Sequence, residues 1–199
     1  ILPPNIQRIL NSAFQDNNIF QVFGKNVIEI EENAFQNATC IQTVEFPNAT
    51  KVGKFTFLCC YKLHTFIAPK CVQIGENAFT LTMNLQTFVA APEVLESETF
   101  LGCGLKYLEL PSVKKMNSKA LQFSKFEGIK LENCVEFEED ALKNDFGVVE
   151  VQTKAIGEGQ NVVNWKMQRW QLEVIAENMG EWKRLKQKIG ICGKIMKIM

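Results

Sequence analysis

Apolar positions along this chain recur on a long period. Aligned on a small residue followed by a large apolar one, the pairs Ala13-Phe14, Ala34-Phe35, Thr56-Phe57, Ala78-Phe79, Thr99-Phe100, Ala120-Leu121 and Ala141-Leu142 stand 21, 22, 22, 21, 21 and 21 residues apart. Five residues before each large member lies another apolar position: Ile9, Ile30, Val52, Ile74, Leu95, Met116 and Phe137. Four to six residues after it come Ile19, Ile41, Leu63, Leu85, Leu105, Phe126 and Phe146. A fixed period of this length announces stacked coils before any single element is assigned.

Within a unit such as "IGENAFTLTMNLQTFVAAP" (74–92), neither a helical nor a strand period holds throughout. The half of the form L-x-x-V-x-F alternates, which sets its apolar side chains on one face of a short strand. The inward pairs are Val22/Gly24, Val44/Phe46, Phe66/Ala68, Phe88/Ala90, Leu108/Leu110, Ile129/Leu131 and Val149/Val151. Pro47, Pro69 and Pro111 follow and end the ladder, since proline has no N–H to continue it. The small-plus-Phe half predicts a tight return segment that drives one ring inward. One coil cannot bury its own apolar face, so stability has to come from its neighbours.

"IGENAF" at 74–79, "VGKFTFLCCYKLHTFIAP" at 52–69 and "IEENAFQNATCIQTVEFP" at 30–47 resemble the BspA-like class of leucine-rich repeats. Its units read roughly I-G-x-x-A-F-x-x-C-x-x-L-x-x-V-x-I-P. The resemblance covers about residues 1–155 and implies an α/β repeat: a right-handed leucine-rich-repeat solenoid with a parallel sheet on its concave face and short irregular or helical return segments. The role it implies is non-enzymatic protein binding or adhesion, often at microbial or protist surfaces. Two departures stand out. Gly24 is small where a large apolar residue is usual, and Pro92 is shifted where residues 85–95 run one residue short, which predicts an irregularity between the fourth and fifth units.

In parallel strands, the second and fourth residues after each strand start point away from the core. The first outward column is Gln21, Thr43, Thr65, Thr87, Tyr107, Gly128 and Val148; the second is Phe23, Glu45, Ile67, Val89, Glu109, Lys130 and Glu150. Thr and β-branched residues suit any exposed sheet, but Phe23, Ile67 and Val89 are apolar where solvent is expected. The expected ligand site is therefore Thr65, Ile67, Thr87, Val89 and Tyr107, with Glu45 and Glu109 setting charge preference for a protein or peptide. The alternatives are a structural spacer or stalk within a longer surface protein and, less favoured, a Cys-dependent enzyme.

The cluster nearest to catalytic or metal chemistry is Cys59, Cys60 and His64, with Cys71 beyond. The register makes Cys60 and Cys71 core residues: Cys60 precedes the inward Leu63 by three, and Cys71 shares a slot with Ile6, Val27, Val113 and Cys134. Same-slot cysteines are two or three coils apart. At about 4.8 Å per coil this exceeds the roughly 7 Å limit for a disulfide, so free thiols are expected. They favour a reducing, cytoplasmic compartment; the resemblance and the sequons Asn37-Ala-Thr39 and Asn48-Ala-Thr50 point instead to the surface or to secretion. Glu138, Glu139 and Asp140 read as a solvated turn rather than a calcium site. With no phosphate loop, zinc-finger spacing or nucleophile elbow, no cofactor or metal is expected.

Composition narrows the partners further. The chain has 199 residues with 22 basic and 22 acidic side chains, so nucleic acid is not an expected partner. Residues 1–160 nevertheless hold 14 basic and 19 acidic groups, and residues 161–199 hold 8 and 3. No apolar run approaches the roughly 18 residues of a membrane span, and the opening "ILPPNIQRIL" carries no signal-peptide pattern. The second segment, 156–199, holds all three Trp. It reads either as degenerate repeats, with Val162, Val174 and Leu185 in register and Leu172-x-Val174 as a strand, or as a basic helical cap, with Trp182, Leu185 and Ile189 on one face. A solvated cap is favoured over membrane contact by residues 181–199. Liposome co-sedimentation is accordingly expected to be the same with and without those residues.

Overall fold

The computed structural model describes residues 1–138, 141, 149–153, 161–165 and 172–176. Two kinds of strand alternate along the chain. Longer ones are β2 (Gln21–Phe23), β4 (Thr43–Glu45), β6 (Thr65–Ile67), β8 (Thr87–Val89), β10 (Tyr107–Glu109) and β12 (Gly128–Leu131). Two-residue ones are β1 (Arg8–Ile9), β3 (Glu29–Ile30), β5 (Lys51–Val52), β7 (Gln73–Ile74), β9 (Val94–Leu95), β11 (Lys115–Met116) and β13 (Glu136–Phe137).

Every pairing within these sets is parallel and joins residues one coil apart. The longer strands run β2-β4-β6-β8, with Val22, Val44, Phe66 and Phe88 in one row. The short strands run β1-β3-β5-β7 and then β9-β11-β13. This second ladder, interrupted between β7 and β9, passes through Ile9, Ile30, Val52 and Ile74 and then Leu95, Met116 and Phe137, the column that the pattern marks as inward without marking it as strand.

The third side of each coil is the return segment, and it is not helical. Among the described residues there is no helix, so the helical option for the return segments, and with it the α/β class, gives way to a β-solenoid of about six turns. The reason lies in where the amides point. The N–H groups of Asn33, Phe35 and Asn37 donate to Lys54, Thr56 and Leu58 on the next coil, while those of Gln36 and Ala38 close tight turns on Asn33 and Phe35. A helix would keep all of them within the segment. Two residues per return segment, four apart, also take left-handed φ near 55–65°: Asn33 and Asn37, Phe55 and Cys59, Asn77 and Leu81, Glu98 and Gly102. That conformation interrupts any α-turn.

The core is a ladder of rings. Phe14, Phe35, Phe57, Phe79 and Phe100 stack face on face at 5.1, 5.3, 5.2 and 5.7 Å. Phe66 and Phe88 meet them edge-on, Phe66 at 4.8 Å from Phe79 and Phe88 at 5.0 Å from Phe100. Small residues at Ala38, Cys60, Thr82, Cys103 and Ser124 line the slot behind. The hydroxyls of Thr56, Thr82 and Thr99 donate to the carbonyls of Gly53, Phe79 and Glu96, so these polar groups are satisfied. At the corner after β5 and β7, the backbone of adjacent coils closes up. A Cβ on Gly53 would lie 2.7 Å from the Glu31 carbonyl carbon, and one on Gly75 would lie 2.6 Å from the Lys54 amide nitrogen.

Beyond β12 the pairing changes. β14 (Val149–Thr153) is still parallel to β12, but Gly128 faces Glu150 and Lys130 faces Gln152. The outward columns had placed Val148 and Glu150 there, so β14 sits two residues out of that register. β15 (Asn161–Trp165) and β16 (Leu172–Ala176) then add antiparallel strands. The candidate cap and membrane-contact segment, 181–199, lies outside the described residues.

Two substitutions probe the stack. Phe79→Ala removes a ring touched by four others and is expected to cost about 3–5 kcal/mol. Gly75→Ala forces backbone apart and is expected to cost about 1–3 kcal/mol. Urea denaturation of the intact chain measures both.

Candidate functional site

The outward residues of the longer strands form two columns, as their spacing requires. Gln21, Thr43, Thr65 and Thr87 face one another in one; Phe23, Glu45, Ile67 and Val89 do so in the other. Thr65, Ile67 and Glu45 are half-buried by their neighbours, while Thr87 is exposed. Val89 is 41% and Tyr107 69% exposed. This part of the predicted site is thus one continuous polar-apolar strip.

Tyr107 and Glu109 are not on that strip. β10 pairs with β12, Tyr107 facing Gly128 and Glu109 facing Lys130, but β8 and β10 do not pair. At the other junctions the bonding is regular. Gln42 and Thr43 donate to the Phe20 carbonyl, His64 and Thr65 to that of Gln42, Gln86 and Thr87 to that of His64. At the far end Phe46 donates to Ile67 and Ala68 to Val89. Among the described residues, no corresponding bond runs from Lys106 or Tyr107 to Gln86, or from Ala90 to Glu109. The Cα atoms of β8 and β10 lie for the most part more than 8 Å from one another.

The cause is two missing residues, since Leu85 to Leu105 spans 20 positions where Leu63 to Leu85 spans 22. One of the two is lost before β10, where Leu105 follows Cys103 by two while Leu85 follows Thr82 by three. In the preceding coil Cys71 follows the inward Ala68 by three, whereas the buried Pro92 follows Ala90 by two. The shortened turn carries the Ala91 amide to the Cys71 carbonyl at 2.9 Å and pulls the end of β8 out of line with β10. A cleft of about 550 Å³ results, lined by Gln86, Thr87 and Phe88 on one side and Tyr107, Leu108 and Glu109 on the other, running on to Gly128 and Lys130. The return segments stay bonded below it, Phe79 to Thr99 and Leu81 to Leu101.

Charges on the far wall are ordered by ion pairs. Lys106 meets Glu127 at 2.9 Å, and the Tyr107 hydroxyl donates to Glu127 at 2.8 Å. These two contacts, Lys106 first, hold the Glu127 carboxyl below its usual range, and the bond to Glu127 raises the Tyr107 hydroxyl. Lys130 bridges Glu109 at 2.9 Å and Glu132 at 2.8 Å. A Cβ on Gly128 would lie 3.2 Å from the Tyr107 ring, so the missing side chain gives that ring its seat. Gln86, Phe88, Gly128 and Lys130 are wall residues outside the expected site; the displaced Pro92 signalled the cleft, and the outward columns already held Gly128 and Lys130.

A larger depression of about 1080 Å³ runs over Gly53 and Gly75 on the short-strand face. Its three cations are paired with carboxylates of the same lining, Arg8 with Glu29 and Glu31, Lys51 with Glu29, Lys54 with Glu76, and Glu32, Glu93 and Glu96 leave the lining net acidic. These exposed pairs are solvent-screened and individually weak.

The chemical candidates resolve differently. Cys60, Cys71, Cys103 and Cys134 are core residues, and burial pushes all four thiols up, Cys71 to about 12 and Cys103 and Cys134 to about 11. The Cys60 thiol donates to the Phe35 carbonyl at 3.1 Å. Such groups stay protonated at neutral pH and are poor nucleophiles. Cys59 is half-buried, and His64 lies exposed with Nδ1 3.1 Å from the Thr65 hydroxyl. Of the sequons, Asn48 spends its side chain on the Lys25 carbonyl and the Lys70 ammonium, while Asn37 sits in a left-handed turn. Glu138 accepts the Ser118 amide; Glu139 and Asp140 lie outside the described residues. Among the described residues, no group of three or more His, Cys, Asp or Glu could hold a metal.

A family model for the BspA type leucine rich repeat region matches residues 1–96 and 73–155, in six copies. The chain belongs to the BspA-type leucine-rich repeat family. No curated protein matches it. At a general level, this repeat family suggests an interaction or adhesion scaffold.

The buried thiols generate a pH prediction. Their folded pKa values exceed the unfolded value of about 8.5, so their contribution is whole below that pH and is lost as pH rises toward 11–12. Denaturation midpoints are expected to fall above about pH 8.5. Cys71→Ala and Cys103→Ala should each flatten that fall by up to about 1.4 kcal/mol per pH unit.

Proposed function

We propose that this BspA-type repeat array is a protein-binding module, and that its partner lies along the sheet of longer strands over Thr65, Ile67, Thr87, Val89 and Tyr107. The observation that carries the reading is the row of outward apolar side chains, Ile67 beside Val89, on a sheet whose opposite face is already filled by core. Water gains nothing from these residues, and a partner that covers what remains exposed of them gains roughly 0.5–1 kcal/mol for each. Glu45 and Glu109 frame the row and favour a partner with positive charge facing them. No cofactor, metal or nucleic acid enters this reading. The exposed surface of cells, or the space outside them, is the setting that suits an adhesion scaffold of this family.

The test is affinity capture with the intact chain beside a double variant, Ile67→Asp with Val89→Asp. Both side chains point outward, so thermal unfolding is expected to change little. A partner held by the parent chain should be lost, with affinity down by at least about a hundredfold. Undiminished capture would remove the site.

A further inference from the structure

We propose that the opening between β8 and β10 receives an extended segment of a partner protein as an added strand, with a lysine or arginine of that segment beside Glu109. The inference rests on reading this sheet as the binding surface, and it specifies where the partner enters and in what conformation.

The opening offers main chain. At the regular junctions the amide at the end of the strand and the carbonyl before it are spent on the neighbouring coil, whereas the Ala90 amide and the Gln86 carbonyl have no such partner across the opening. Strand edges with open donors and acceptors are templates for a further strand, and β-addition is a recurrent way of binding peptides. Most Cα pairs between β8 and β10 exceed 8 Å, and a strand seated between them needs about 9.6 Å, twice the ordinary ladder spacing.

Side chains around the opening suit the same occupant. The half-buried Phe88 and the buried Leu108 form an apolar floor for the inward residues of a guest strand. That floor is supported from beneath, where Phe88 meets Phe100 edge-on at 5.0 Å and Phe79 stacks on Phe100. Tyr107 does not block the entrance, because its ring lies toward Gly128 and its hydroxyl is tied to Glu127.

Charge selects among guests. The β8 wall, Gln86 to Val89, is uncharged. On the β10 wall, Glu109 shares Lys130 with Glu132, and its side chain remains 64% exposed. Glu109 thus has less than a whole counter-charge, and a guest cation alongside Val89 completes it.

The probe is a fluorescein-labelled peptide LQTFKA-amide, which is the sequence of residues 85–90 with lysine replacing the outward valine. Titrated with the intact chain and read by fluorescence anisotropy, it should bind saturably. N-methylating its two central amides removes a donor toward each wall and should weaken binding about tenfold. Glu109→Gln should weaken the lysine peptide severalfold and leave LQTFVA-amide unchanged. Equal binding of the N-methylated peptide, or no saturation at millimolar peptide, overturns the proposal. A rise in affinity on removing residues 177–199 would give the opening to the chain's own basic end and overturns it too. If partner capture depends on Ile67 and Val89 while the peptide stays inert, only strand addition fails; if capture is also insensitive, the surface reading fails with it.

Discussion

Everything in this molecule depends on adjacent coils advancing by one common step. Three hydrogen-bonded ladders run along the array, one through the longer strands and one through the two-residue strands, both interrupted between the fourth and fifth coils, and one through the return segments. Parallel strands advance by about 4.8 Å, and the stacked rings at 5.1–5.3 Å keep nearly the same pace. Backbone and aromatic core therefore share a repeat, and each reinforces the register of the other. Gly53 and Gly75 belong to the same constraint, since a side chain at either would hold neighbouring backbones apart.

That constraint explains what could be read from residue order. Inward columns such as Ile30, Val52 and Ile74, or Val44 and Phe66, recur at the coil length because each has to fill the same slot, so the core was legible almost residue by residue. The second ladder was not, because a two-residue strand is too short to alternate. Nor was the choice between helix and tight turn in the return segments, which was decided by amides reaching the next coil. The register of β14 was hidden for another reason. A slip of two residues keeps every side chain on its own face, and hydrophobic pattern cannot detect it.

The candidate site was legible in part. Parity placed Thr65, Ile67, Thr87 and Val89 outward and together, and the ladder brings them together. Tyr107 and Glu109 face outward as well, but across a discontinuity from the rest. The displaced proline marks an irregularity at that place; the loss of main-chain pairing is a three-dimensional result of the shortened turn. It converts a uniform sheet into two walls with different chemistry, one neutral and one set with ion pairs.

The same discontinuity has a mechanical meaning. An array of identical junctions shares a load evenly along its axis. Here one junction lacks the ladder pairing of its neighbours on both strand faces, β7 not pairing with β9 nor β8 with β10, and keeps its bonding on the return side, through Phe79, Leu81 and the Phe79–Phe100 stack at 5.7 Å. Such a joint is held mainly along one of its three sides. Bending strain along the solenoid therefore falls on this junction before it falls on the regular ones.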